Sequence, residues 1–401
     1  MNGMSNYFEG VCAKKLSHVD ALPTASNQHE IGSNKFKQIL GDPGTNRLNF
    51  QATFLLFDHF SVEPVSCVDN VTFYDARANN PNRSAEFRLY YKDNLVTQQL
   101  KAGDLCIVAK LKDGKLLIVL ARDGTDHESR LKFLFDLKEP SEIWHVNAAP
   151  SAEELDFAQQ SILQALGLDT FECSSNNSEL LIRSFGNQFP GTKEFSEFSR
   201  NSIVEKTREL KSPDAILEAW LRQEEVLFRA LENVIVAQQL ENGFQGVDEF
   251  VQLALSVLNR RKSRAGLALE NHLAELFTNA NINFERTPRI DGNSRPDFLF
   301  PNAAAYRDLS IPSPPLQMLA AKSSCKDRWR QILTEVSNSR IPVKHLCTLE
   351  TAITENQTDE MQKNSVQLVV PLSIRRTYTE KQQKWIYSVE DFIDLLRSHQ
   401  L

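Results

Sequence analysis

Arg295-Pro296-Asp297-Phe298-Leu299-Phe300-Pro301 is followed by Leu316-Gln317-Met318-Leu319-Ala320-Ala321-Lys322 and then by Lys326-Asp327-Arg328-Trp329-Arg330-Gln331-Ile332-Leu333-Thr334-Glu335. The first two stretches are apolar runs of strand length, each with a charged residue at one end, and the third has helical spacing behind a polar start. Strands are therefore expected at Asp297 to Phe300 and Leu316 to Lys322, and a helix from about Lys326 to Val336. A helix through Glu270 to Phe277 precedes them, and strands at Val343 to Leu349 and Val366 to Val370 follow. A last helix opens with Ser388 and Asp391 in capping-box spacing and buries Phe392, Ile393, Leu395 and Leu396. Such alternation predicts an α/β domain with a central sheet flanked by helices.

Upstream the pattern changes. Short β segments are expected at Ala52 to Phe57, Val71 to Tyr74, Glu86 to Tyr91, Leu105 to Leu111 and Lys115 to Ala121, with Asp113-Gly114 turning one hairpin, so the first 140 residues read as an all-β barrel. Helical periodicity then runs from Ala152 to Leu166 and from Asp214 to Leu240. Between them Ser174-Ser175-Asn176-Asn177-Ser178 has the composition of a linker. The chain is thus read as multidomain, with units at 1–175 and 176–401.

With 401 residues, 41% hydrophobic and 24% charged, the chain has the composition of a globular protein. No run approaches the roughly 18 to 20 apolar residues of a membrane span, and the start lacks the basic and apolar regions of a signal peptide, so a cytoplasmic location is expected. Six cysteines are scattered without C-x-x-C pairs, which predicts reduced thiols. The net charge of −7 is uneven: residues 245–401 carry 20 Lys+Arg against 18 Asp+Glu. The densest basic cluster, Arg260-Arg261-Lys262-Ser263-Arg264, lies there, as either a phosphate-binding patch or a solvated helix end.

Asp297, Lys322 and Glu335 place two carboxylates and an ammonium on three elements, with Glu270 on the preceding helix as a fourth member. Hydrolysis of a phosphodiester calls for this set: carboxylates to hold a divalent cation and a lysine to orient water and neutralise charge. Mg²⁺ needs only one or two carboxylates beside water and phosphate oxygens. Singly, each residue also reads as a turn former, a solvated strand end or a surface glutamate. Lys326, Asp327 and Arg328 carry side chains that can pair with G·C edges in a major groove, or else form a charged first turn over a buried Trp329.

At these residues the chain resembles the EcoRII family of type II restriction endonucleases, whose site is a variant of the PD-(D/E)xK nuclease pattern with the second acid on the following helix. The resemblance is carried by Asn259 to Gly266, Leu269-Glu270, Arg295 to Pro301 and Cys325 to Leu333. It implies that the central sheet is a mixed one, that Asp297 and Glu335 bind Mg²⁺, that Lys322 is the catalytic lysine and Glu270 the helix acid, and that Tyr306 falls near the site. It also implies that Lys326, Asp327 and Arg328 read the outer G·C pairs of a CCNGG or CCWGG palindrome, and that Arg222 contacts a flipped base. Lys14 to Ser17, Asn27 to His29, Leu89 to Tyr91 and Leu100 to Leu105 resemble the B3-like DNA-binding pseudobarrel of that family. Its two arms point to Ser26, Asn27, Gln28 and His29 and to Lys92, Asn94 and Thr97 as contacts to an effector copy of DNA. A homodimer on double-stranded DNA, and a companion methyltransferase without direct contact, are the partners implied. A structure-selective repair nuclease and a catalytically inactive DNA-binding regulator remain alternatives.

Overall fold

The computed structural model describes residues 3–21, 29–58, 64–80, 82–137, 145–147, 155–168, 175–290, 294–310, 316–336 and 339–400, with the side chains of 145–147, 175–177, 326 and 327 excepted. The chain divides into two compact units, Met1–Thr170 and Phe171–Leu401.

In the first unit the described strands are β1 (Phe8–Lys15), β2 (Glu30–Gly32), β3 (Arg47–Phe57), β4 (Val65–Asp75), β5 (Phe87–Tyr90), β6 (Leu105–Leu111), β7 (Leu116–Ala121) and β8 (His145–Asn147). They form one sheet in the order β2-β5-β4-β3-β7-β6-β1-β8. All its pairs are antiparallel except β3 with β7. Strands β6 and β7 are apolar without alternation because both faces are covered. Cys106 and Val108 join one core with Phe54 and Phe73, while Leu105, Ile107 and Ala109 join another with Leu131 and Leu163. The expected Asp113-Gly114 turn joins them: Gly114 takes φ +83°, and Asp113 Oδ1 accepts from Lys115 N at 3.0 Å.

The second unit is built on a mixed five-stranded sheet. Its strands are β9 (Glu285–Arg286), β10 (Phe298–Phe300), β11 (Gln317–Lys322), β12 (Lys344–Thr348) and β13 (Val366–Val369), in the order β13-β12-β11-β10-β9. The β11–β12 and β12–β13 pairs are parallel, and β9–β10 and β10–β11 antiparallel. Phe277 of the helix Val247–Asn279 meets Phe298 and Phe300 of β10 at ring separations of 5.4 and 5.2 Å, and Phe392 of the helix Val389–Gln400 meets Phe300 at 5.8 Å and Phe277 at 6.2 Å. This aromatic cluster fixes the strand that follows Asp297.

The last helix begins as its spacing predicts. Ser388 N donates to Asp391 Oδ2 at 2.8 Å and Asp391 N donates to Ser388 Oγ at 3.0 Å. Asp214, on the helix Pro213–Glu241, adds a second cap that the sequence does not reveal. Its carboxylate accepts from Val389 N and Glu390 N, both at 3.0 Å, and burial pushes its pKa up to about 6. Asp214→Ala leaves two helix-terminal donors without these acceptors and should cost about 1 to 2 kcal/mol in a urea melt at neutral pH. A midpoint equal to wild type would show that the cap contributes nothing.

Three expectations are corrected. Ser175-Asn176-Asn177-Ser178 is not a linker but the opening of the helix Ser175–Phe185, in keeping with the preference of Ser and Asn for helix starts; Ser174 lies outside the described residues. Lys326–Thr334 is a 3₁₀ helix rather than an α-helix. The basic cluster lies inside the long helix and largely serves internal contacts. Arg261 grips Glu232 at 2.5 to 3.0 Å, Arg264 is buried beside Glu224 at 3.4 Å, and Arg260 stacks over Phe189 at 4.1 Å. Five described cysteines are free, and Cys173 lies outside the described residues. No described helix is long and apolar enough to cross a membrane.

Candidate active site

Antiparallel pairing of β10 with β11 sets Phe298 opposite Leu319, which brings Asp297 alongside the end of β11. Asp297 Oδ2 accepts from Ala321 N and from Lys322 Nζ, each at 2.8 Å. Lys322 is the last residue of β11, and its backbone pairs with Thr348 of β12. The ammonium is thereby held on the carboxylate by two strands instead of extending into water.

Glu270 reaches the same place from the 247–279 helix, and Glu335 from the residue after the 3₁₀ turn. Burial, and then the negative charge of Asp297, raise the pKa of both. Glu335 is pushed up to about 7, with Lys322 opposing the rise. The Glu270 shift is opposed by Arg286 and by Lys322. Three acids and one lysine thus share one electrostatic neighbourhood. Ser294 Oγ donates to the Glu335 carbonyl and fixes its backbone. Glu335 Oε2 is buried and has no hydrogen-bond partner among the described residues.

Such an orphaned carboxylate oxygen beside Asp297 suits a hard cation, which would supply the missing partner. Among the described residues, however, no group of three or more His, Cys, Asp or Glu side chains forms a ready-made cage. The two observations are compatible for Mg²⁺, which is held by one or two carboxylates and keeps several waters.

The other expected residues are distributed as follows. Tyr306 is buried in the helix Ala303–Arg307, with the Arg340 guanidinium 5.8 Å from its ring centre. Arg328 is exposed on the 3₁₀ helix, beside the fully buried Trp329, while the side chains of Lys326 and Asp327 lie outside the described residues. Arg222 is half-buried on the 213–241 helix. In the first unit Ser26, Asn27 and Gln28 lie outside the described residues, His29 Nδ1 is 3.3 Å from Asp93 Oδ1, and Lys92 is exposed. Thr97 lies in the same loop. It is 4% exposed, and its hydroxyl accepts from Asn94 N at 2.9 Å and donates to Lys92 O at 3.3 Å, so it ties the loop together. Asn94 Oδ1 likewise accepts from Val96 N and Thr97 N.

Residues 228–393 match the family described as EcoRII C terminal. Glu270, Asp297, Lys322, Glu335 and the Lys326 to Arg328 cluster all fall inside the matched segment, whereas Arg222 falls outside it. The type II restriction enzyme EcoRII of Escherichia coli is 39% identical over 228 residues, covering 57% of this chain and 55% of that protein. The chain therefore spans about half the length of this relative. Two solved structures are also similar. One is metal-depleted Ecl18kI in complex with uncleaved, modified DNA, with a TM-score of 0.45 and 17% identity over 57% of this chain and 85% of that one. The other is the complex of the restriction endonuclease PspGI with substrate DNA, with a TM-score of 0.44 and 17% identity over 53% and 93%.

Arg286 and Asn271 also border the site. Arg286 Nη2 donates to Glu270 Oε2 at 3.4 Å and Nη1 to Asn271 Oδ1 at 3.0 Å. Sequence spacing did not point to Arg286, because its position depends on the pairing of β9 with β10.

Proposed function

We propose that this chain is a type II restriction endonuclease that cuts both strands of DNA at a short palindrome of the CCWGG or CCNGG kind, using Mg²⁺. The observation that carries this reading is the Asp297–Lys322 pair at the ends of two strands, with Glu270 and Glu335 beside it, inside the segment related to EcoRII. Asp297 and Glu335 would hold the cation, which when bound supplies electrostatic stabilisation to the phosphate oxygens. Lys322 orients the attacking water through its ammonium and offsets negative charge as it builds on the phosphate. The products carry a 5′ phosphate.

Residues 176–401 form the catalytic part and 1–175 a B3-like pseudobarrel that binds a second DNA copy as allosteric effector. Ser26, Asn27, Gln28, His29, Lys92, Asn94 and Thr97 are its candidate contacts. The curled eight-stranded sheet supports that reading. Two half-sites of a palindrome call for a homodimer, and the enzyme would act in a bacterial cytoplasm beside a companion methyltransferase. Incubating plasmid DNA with the protein tests the reading: discrete fragments that form with Mg²⁺ and not with EDTA are expected. Intact plasmid under both conditions would leave only a DNA-binding regulator, and fragments confined to branched or damaged substrates would indicate a repair nuclease.

Lys326, Asp327 and Arg328 are the proposed base readers, with Arg222 the candidate contact for a flipped base. Arg328→Ala should lose about 1 to 3 kcal/mol of discrimination between the cognate site and a variant with one outer G·C pair exchanged, measured by competition binding. Equal weakening on all DNA would make Arg328 a phosphate contact instead.

A further inference from the structure

The carboxylates of the site are steadied differently. Asp297 has a backbone N–H and the Lys322 ammonium, whereas Glu270 has the Arg286 guanidinium, with Nη2 3.4 Å from Oε2. Arg286 is in turn aimed. Its Nη1 donates to Asn271 Oδ1 at 3.0 Å, and its guanidinium lies 5.8 Å from the centre of the Phe298 ring, its cross-strand partner.

The Asn271 amide is oriented from behind. Asn271 Nδ2 donates to Ser196 Oγ at 3.1 Å, and the Ser196 hydroxyl has two acceptors for its own proton, Thr192 O at 2.9 Å and the Glu224 carboxylate. With its hydrogen committed, Ser196 offers a lone pair to the amide nitrogen, which leaves Asn271 Oδ1 turned toward Arg286. Ser196 is fully buried and Asn271 nearly so. A buried polar chain of this kind holds one geometry when complete and is costly when broken.

We propose that Arg286 is a positioning residue, its planar fork fixed by Asn271 and Ser196, which aims the Glu270 carboxylate into the Asp297, Lys322 and Glu335 cluster. The inference rests on reading that cluster as a cation site, and it adds that Glu270 joins Asp297 and Glu335 there once a cation is bound. Arg286 sits behind Glu270 and acts through it, the relation of an outer partner to a ligand, whose loss typically weakens metal affinity about 10- to 100-fold. A lysine would keep the charge but not the two-pronged geometry.

The test is titration of the metal-free 401-residue chain with Mn²⁺ alone, followed by electron paramagnetic resonance, at one pH and salt concentration. Arg286→Ala should weaken Mn²⁺ binding about 10- to 100-fold, and Arg286→Lys should fall between it and wild type. Asn271→Ala should act in the same direction by less, and the double variant should be no worse than Arg286→Ala, since Asn271 works through Arg286. DNA binding without metal should be unchanged in all of them. Mn²⁺ affinity that stays the same or rises in Arg286→Ala, or effects of the two single variants that simply add, would overturn the proposal. Should Arg286→Ala fail to fold, Arg286→Lys and Asn271→Ala carry the same test, and wild-type affinity in both would overturn it. Absence of Mn²⁺ binding by the wild-type protein would instead overturn the cation site on which the proposal rests.

Discussion

Lys322→Ala should bind cognate DNA with nearly wild-type affinity and cleave it about 100- to 1,000-fold more slowly, the range typical of losing one preorganised charge donor. The lysine is held 2.8 Å from Asp297 Oδ2 at the end of β11, and its proposed work is on charge that appears only as the phosphate reacts. Asp297 keeps its backbone donor Ala321 N in the variant, so the strand end should stay folded. The comparison is single-turnover cleavage against binding measured with Ca²⁺ in place of Mg²⁺. Wild-type cleavage would remove Lys322 from the site, and a matching loss of binding would make it a ground-state phosphate contact.

Glu335→Gln should abolish cleavage and, at the same time, stabilise the metal-free protein at about pH 8. The sign follows from linkage. The folded carboxyl titrates near 7 against an ordinary 4.5, so the native state holds the proton more tightly than the unfolded chain. Stability of the metal-free protein therefore falls as pH rises from 4.5 to 7, and above 7 the whole cost of the buried charge is present. Glutamine cannot ionise and does not incur that cost. The melting temperature of Glu335→Gln should exceed wild type at about pH 8 and converge with it at about pH 4. Saturating Mg²⁺ should restore wild type more than the variant, because a bound cation stabilises the state that binds it. Equal melting curves at both pH values would mean that Glu335 is not held as a buried charge.

Both effects express one feature: the site gathers carboxylates at some cost to the fold. Asp297 and Lys322 were legible in the sequence because each stands at the end of an apolar run whose strand character is plain, and a strand end fixes where its charged residue goes. The sheet flanked by helices was legible for the same reason, since the runs at β11, β12 and β13 alternate with helical periodicity. Tertiary pairing was not. Arg286 reaches Glu270 only because Glu285 and Arg286 pair with Leu299 and Phe298, a link between two- and three-residue strands that carries no local signature. Nor did spacing distinguish the 3₁₀ helix at Lys326–Thr334 from an α-helix, because both leave Trp329 and Ile332 on a buried face. The arginines at 260, 261 and 264 misled in the other direction: a dense basic run looks like a phosphate surface until their partners Phe189, Glu232 and Glu224 arrive from elsewhere in the chain.

The most direct measurement is to digest a plasmid of known sequence with the protein and Mg²⁺ and to sequence every fragment end. A sequence-specific endonuclease built on Asp297, Lys322 and Glu335 should leave 5′ phosphates at one short palindrome flanked by G·C pairs, with both strands cut at each occurrence. Ends scattered without a shared sequence, or a plasmid left intact, would contradict it.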